Sequence, residues 1–239
     1  MQLVWIDLET SGLRPDQDVV LEIAVSLADL SSPFDARPAY HAVLYARPAK
    51  TLDPKVLEMH TKNGLFAECA GPGARSDFDR IEEELLALVP DVDDPNEKPV
   101  LAGSSVHFDH EFLKDEFPKF AARLSHRHYD VSAVKLFCRS LGMPKLPRAE
   151  AHRAKDDVLE SIAHARLCAG WLAEEFGSGD QAPDVLLARP DPICGGGSRL
   201  PLAENPAMPR SEAILVSRDP ATGRVVDAVR FRLPEDPEE

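Results

Sequence analysis

Basic residues are scarce relative to acids: 27 Lys and Arg stand against 41 Asp and Glu in 239 residues, a formal charge of −14. Ten of those fourteen excess acids fall in residues 1–176, so the imbalance is not that of a tail. A general electrostatic clamp on long duplex nucleic acid is excluded, because it needs a basic face to displace counterions. A divalent cation, or a short anionic ligand held by a few local bases, remains compatible. Aromatic residues make up only 6%, little for a long single-strand channel lined with stacking rings. Cysteine is sparse and scattered, at Cys69, Cys138, Cys168 and Cys194, with no C-x-x-C spacing. Cys138 and Cys168 fall in helical patterns, which predicts reduced thiols and a cytoplasmic protein. No apolar run approaches the roughly 20 residues that span a bilayer, so no membrane partner is expected. Met1 to Leu8 lacks a basic start and meets Asp7 too early for a signal peptide. What is present, 44% hydrophobic and 28% charged residues, suits a soluble globular chain with ample length for a core.

The patterning predicts an α/β architecture. Leu3 to Ile6 is a short, continuous apolar run ending in acids, as in a strand covered on both faces. Val19–Val25, Tyr40–Tyr45 and Pro99–Gly103 read as further strands, with Gly12, Pro15, Asp16 and Asp18 turning the chain between the first two. Helices are predicted over Ser76–Leu88, Asp109–Phe120, Ser132–Leu141 and 152–176. Asp130 or Ser132 is available to cap the third. In the last, Val158, Ile162, Ala165, Ala169, Leu172 and Phe176 recur at helical spacing and should face the core. The texture then changes: residues 183–239 hold 9 of the 21 prolines and the run Cys194 to Ser198, CGGGS. Within this stretch two β-rich runs flank Asp219-Pro220-Ala221-Thr222-Gly223, which predicts a hairpin at about 212–233. The expected organisation is one domain over 1–176 and a Pro/Gly-rich extension over 177–239.

Three local features carry chemistry. Asp7 and Glu9 lie two apart at the end of the first strand and therefore point to one side. Two carboxylates placed together raise each other's pKa, and a hard divalent cation resolves the conflict. Asp109 follows the small residues Gly103-Ser104-Ser105 and opens a helix. His152 precedes the longest helix, with Asp157 in its first turn. Each feature has an ordinary explanation: a solvated turn for Glu9, a helix cap for Asp109, a dipole partner for Asp157, and a surface residue for His152. Trp5 is expected in the core rather than stacked on a base, and Asp156 is expected either to face solvent or to support the neighbouring acids from behind.

Taken together, Asp7-x-Glu9, Asp109, and His152 with Asp157 five residues later reproduce in order the pattern of the DEDDh 3′→5′ exonucleases. More narrowly, the chain resembles the oligoribonucleases. The supporting stretches are Trp5 to Leu13, Leu21-Glu22-Ile23-Ala24, Met59 to Leu65, Asp130 to Lys135, and His152 to Ser161. The resemblance runs from about residue 2 to 176 and leaves the extension uncovered. It implies a ribonuclease-H-like, mixed five-stranded sheet flanked by helices, and a homodimer acting on short single-stranded RNA, from dinucleotides to oligonucleotides.

The resemblance also assigns roles. Asp7, Glu9, Asp109 and Asp157 would hold two ions, Mg²⁺ or Mn²⁺, and His152 would be the general base. Ser105, Arg127 and Ser132 would close a small cap on a 5′ phosphate. Leu13 matches a hydrophobic wedge between bases, and His60 matches the His of a Met-His-Thr stretch. His126 stands where the family carries a Tyr supplied across the dimer, and Lys135 matches a position near the cap. Thr10-Ser11 is closer to proofreading exonucleases than to the Met-Thr usual in oligoribonucleases. Two other readings stay open at this point. One is a DEDDh exonuclease on longer single-stranded DNA or RNA; the other is a nucleotide- or partner-binding module without activity.

Overall fold

The computed structural model describes residues 1–46, 53–147, 152–176, 212–218 and 225–232. The chain divides into two compact units, Met1–Trp171 and Leu172–Glu239. The first holds a five-stranded sheet of β1 (Gln2–Thr10), β2 (Val20–Asp29), β3 (Ser32–Val43), β4 (Val100–Gly103) and β5 (His128–Asp130), in the order β3-β2-β1-β4-β5. β1, β2 and β3 pair antiparallel, whereas β4 runs parallel to β1 and to β5. The sheet is therefore mixed, as expected. Seven helices are described: α1 (Pro54–Lys62), α2 (Leu65–Cys69), α3 (Phe78–Leu86), α4 (His107–Glu116), α5 (Pro118–Arg123), α6 (Val131–Ser140) and α7 (Ala154–Phe176).

Alternation along β1 decides what lies where. Val4 and Ile6 enter a core built with Ile81 and Leu85 of α3, Phe112 and Leu113 of α4 and Phe120 of α5. Leu3 and Trp5 enter a second core, on the other face, with Ala154, Val158, Ile162 and Ala165 of α7. Trp5 is wholly buried, and its indole N–H donates to the Pro33 carbonyl at 3.0 Å. Each such large apolar side chain stabilises the fold by about 1.5–3 kcal/mol. β1 is thus clamped from both sides at the strand that delivers the acids. Gly103 ends β4 where a Cβ would lie 2.7 Å from the Ile6 carbonyl oxygen, so only glycine lets the chain turn there toward Ser104 and Ser105.

Several boundaries differ from expectation. The helix expected over Asp109–Phe120 is two helices, broken at Phe117, because Pro118 disfavours helical geometry in the residue before it. β3 starts at Ser32 rather than Tyr40; Pro33, Arg37 and Pro38 hid the strand at the end of the sheet order. β5, α1 and α2 were not foreseen, being three, nine and five residues long. Asp130, not Ser132, caps α6, accepting from the Ser132 and Ala133 N–H groups. In α7 burial ends at Cys168, and Phe176 is exposed, so the apolar spacing runs past the core it was expected to fill. In the second unit, β6 (Glu212–Arg218) and β7 (Val225–Arg232) pair antiparallel as a two-stranded sheet. The Cys194–Ser198 run and the Asp219–Gly223 turn lie outside the described residues. Among the described residues Cys69, Cys138 and Cys168 are free and buried, and no helix is long and apolar enough to cross a membrane.

Candidate active site

Asp7 and Glu9 continue the odd-numbered face of β1 that begins with Leu3 and Trp5, the face covered by α7. α7 places Asp157 in its first turn, above that strand end. Ligand oxygens of Asp7, Glu9 and Asp157 all lie within 4.8 Å of one another. Asp109 reaches the same strand end from α4, on the opposite face, and accepts the Leu8 N–H at 2.9 Å through Oδ1. It is therefore no helix cap: the residue before α4 is Val106, and the Asp109 carboxylate bonds 101 residues away. Three of the four acids form one cluster, and the fourth borders it through Asp7.

Electrostatics show how uncomfortable this cluster is without positive charge. Burial, then the charges of Asp109, Glu9 and Asp157, hold the Asp7 carboxyl well above its usual range. Burial and the neighbouring Asp157 and Glu22 push Glu9 up to about 8. Asp109 rises to about 7, driven by burial against the lowering effect of the Leu8 N–H.

His152 sits two residues before α7 with φ +46°, a conformation that costs a non-glycine residue about 1 kcal/mol or more. Asn63 compensates, donating from Nδ2 to the His152 carbonyl at 2.6 Å. Glu22, wholly buried on β2, accepts from the Ala154 N–H at 3.1 Å and so caps α7 from another element. Arg153 forks onto Glu22 at 3.0 and 3.1 Å and onto Glu68 of α2 at 2.8 and 2.9 Å. Burial alone would raise the Glu22 pKa, but Arg153, His41 and the Ala154 N–H outweigh it, and the carboxyl lies below its usual range. Asn63, Arg153 and Glu68 set the start of α7 and were not singled out in the sequence. Asn63, Glu22 and Arg153 lay inside stretches that carried the resemblance, which was their only signal.

His60 is fully buried under Glu9: its Nε2 lies 3.1 Å from the Thr10 carbonyl oxygen and 3.7 Å from Glu9 Oε2. Leu13 is 72% exposed, on a turn held by Asp18, which accepts from the Ser11 hydroxyl and the Arg14 N–H. Ser105 and Ser132 bond each other through their hydroxyls at 2.9 Å, and Asp130 Oδ1 accepts both of their N–H groups. These two serines share a cleft of about 460 Å³ with Asp7 and Asp157. His126 and Arg127 are exposed and do not line it; Arg127 donates to Asn96 Oδ1 at 3.2 Å. Asp156 faces solvent.

Residues 4–164 match the Exonuclease family. Over 168 residues the chain is 32% identical to an oligoribonuclease of Corynebacterium diphtheriae, covering 67% of this chain and 78% of that one. It is 30% identical to an oligoribonuclease of Colwellia psychrerythraea, covering 69% and 92%, and 34% identical to the mitochondrial oligoribonuclease of Mus musculus, covering 67% and 69%. The chain belongs to the oligoribonuclease family of exonucleases. The matched span takes in β1 from Val4 onward, the other four strands of the main sheet and every acid of the cluster, and stops short of the second unit. Among solved structures, E. coli exonuclease I bound to single-stranded DNA in a zinc form aligns with TM-score 0.52 at 16% identity, over 74% of this chain and 41% of that one. Its complex with a dT13 oligonucleotide aligns with TM-score 0.51 at 19% identity, over 74% and 42%. The chain spans about two fifths of exonuclease I, and this likeness bears on the ribonuclease-H-like fold. An oligoribonuclease-family fold with its acids gathered at one strand end accounts for the odd-face placement of Asp7 and Glu9.

Proposed function

We propose that this chain is a metal-dependent 3′→5′ exoribonuclease that releases nucleoside 5′-monophosphates from short oligoribonucleotides, down to dinucleotides. The observation that carries the reading is the Asp7–Glu9–Asp157 cluster, of which Asp7 and Asp157 line the same cleft as Ser105 and Ser132. The donor set fits a hard cation: it is all carboxylate oxygen, and its raised pKa values mark a site that lacks compensating positive charge. Asp7, Glu9, Asp109 and Asp157 would hold two ions, Mg²⁺ or Mn²⁺. Such ions supply charge compensation for the attacking and leaving oxygens of an in-line phosphodiester hydrolysis.

The chain's own residues do the rest. His152, ahead of α7 and free of the helix, takes the proton of the attacking water, and Asn63 fixes where it stands. His60, buried beneath Glu9, positions that carboxylate rather than meeting solvent. Leu13 presents an apolar side chain from a rigid turn, suited to separating two bases. Ser105 and Ser132 offer hydroxyls to a 5′ phosphate. His126 and Arg127 lie outside this cleft, and we assign them to a face completed by a homodimer. Exposed Phe137 on α6 and Leu141 just after it give such an assembly apolar surface. A cytoplasmic location fits the three free, buried thiols.

The test is a time course on 5′-labelled RNAs of two, five and twenty nucleotides with Mg²⁺ or Mn²⁺. Rapid loss of the dinucleotide with slow attack on the 20-mer is expected. Preference for the 20-mer would favour an exonuclease for longer strands, and no hydrolysis of any substrate would favour a binding module.

A further inference from the structure

Four of the chain's eight histidines, His107, His110, His126 and His128, lie within residues 107–128. Three of them gather where α4 faces β5. His107 and His110 are three apart on α4 and share a helix face. His128 and Asp130 are two apart on β5 and point to one side of that strand. The two pairs are set against each other: His128 Nε2 lies 3.2 Å from His110 Nδ1, and His107 Nδ1 lies 3.7 Å from Asp130 Oδ2. The His110 and His128 rings are perpendicular, at 90° with centroids 4.9 Å apart. Both rings are half-buried and His107 is exposed, so solvent reaches the group.

This group is distinct from the acid cluster. Neither His110 nor His128 lines the cleft beside Asp7 and Asp157, and Asp109, which precedes His110, bonds to the Leu8 N–H instead. The donors are also of another kind. Imidazole nitrogen suits zinc, cobalt, nickel and copper, whereas a wholly carboxylate site suits magnesium and manganese. Two nitrogens about 2.0–2.1 Å from one tetrahedral zinc lie roughly 3.3–3.4 Å apart. The His110–His128 spacing of 3.2 Å is close to that. Zinc-bound imidazoles commonly pass their other N–H to a carboxylate. Asp130 Oδ2 stands beside His107 Nδ1 in that sense, which leaves His107 Nε2 for a metal.

We propose that His107, His110 and His128 bind one zinc ion, or another borderline transition-metal ion, at a site separate from the acid cluster. His110 and His128 supply a preset pair of nitrogens, exposed His107 turns in as the third ligand, and water completes the shell. The ion ties α4, the helix that carries Asp109, to β5. It takes no part in bond cleavage, and its binding does not rest on the exoribonuclease reading.

The experiment is a Co²⁺ titration of the untagged full chain in a large excess of Mg²⁺, followed by visible absorption, with Zn²⁺ added at the end. Cobalt held by nitrogens in a four-coordinate site absorbs far more strongly than octahedral cobalt on carboxylates, so the bands report which donors bind. Wild type should develop strong bands that saturate at one Co²⁺ per chain, and Zn²⁺, the tighter binder, should bleach them. His110→Asn and His128→Asn should each weaken binding beyond the roughly 10–100-fold that loss of an outer-shell partner costs, with circular dichroism unchanged. His107→Ala should weaken it by about tenfold or more. Asp157→Asn should keep the bands, because the acid cluster is not involved. If one histidine variant fails to fold, the wild-type spectrum and the other variant still decide. Only weak bands in wild type, strong bands that persist in His110→Asn and His128→Asn, undiminished affinity in His107→Ala, or bands lost only in Asp157→Asn would each overturn the proposal. Failure of the exoribonuclease reading looks different: RNA hydrolysis would be absent while these spectra stayed the same.

Discussion

At the scale of single residues, the acid cluster stores repulsion that the fold must withstand. In addition to burial, Glu9 and Asp157 raise the pKa of Asp7, and Asp157 raises that of Glu9. Asp157→Asn removes one of these charges. In chelator, the variant's melting temperature should exceed that of wild type by about 2–4 °C for each kcal/mol of repulsion relieved. Manganese should then raise the wild-type midpoint and leave the variant's nearly fixed, a difference read by calorimetry without any substrate. His152 offers a complementary test. In Asn63→Asp the remaining oxygen can still accept the Leu65 N–H, but the donor to the His152 carbonyl is gone. The expected outcome is a fall in kcat of about tenfold to a hundredfold with KM little changed, because small displacements of a reacting group are costly.

Among elements, α7 has the greatest leverage, since its first turn carries Asp157 and its preceding residues carry His152. Its start is fixed by Glu22 of β2, which caps Ala154 and binds the Arg153 fork. Glu22→Ala should cost about 3 kcal/mol in urea denaturation, at the lower end for a broken buried ion pair because Arg153 keeps some exposure and retains Glu68. Activity should fall even well below the melting temperature. Sequence pattern recovered β1, β2, β4, α6 and α7 because each has a strong period or a clear stop. It also singled out Asp7, Glu9 and Asp157, which the fold brings together, and Asp109, which reaches the same strand end. It could not recover Glu22 as a cap, because a cap supplied from 132 residues away leaves no local signature. The same holds for the destination of Asp109, which reads as a local cap until the Leu8 N–H is seen to lie against it. β5 escaped because three half-buried residues have no period to detect.

For the molecule as a whole, the two units invite separate treatment. Every residue lining the cleft lies within Met1–Trp171, so a chain of residues 1–176 is expected to fold and to retain its hydrolytic rate on dinucleotides, checked by circular dichroism and product analysis. Global stability should also depend on pH through Arg75, which binds Asp77 and Glu84 and contacts the Tyr40 hydroxyl. Bonds from Arg75 lower the pKa of both carboxyls in the folded state. Their contribution is therefore complete above the unfolded values of 3.8 and 4.5, and is lost as pH falls through the lower folded ones. The stability difference between wild type and Arg75→Met should be constant from pH 8 down to about 5, then shrink with further acid. A difference that grew on acidification would contradict the assignment.

β1 is the first strand made and α7 the last helix of its core, and this order has a consequence for synthesis. While the chain is still on the ribosome, Leu3 and Trp5 have no α7 to cover them, and Asp7 and Glu9 lack their third carboxylate. Docking α7 completes the hydrophobic core and the acid cluster in one event, because the same helix supplies Val158 to the first and Asp157 to the second. Such distant pairings form slowly and late. Under the proposed roles, a nascent copy would be unable to attack RNA until α7 has been translated, and any truncation before α7 leaves an uncovered apolar face on the sheet.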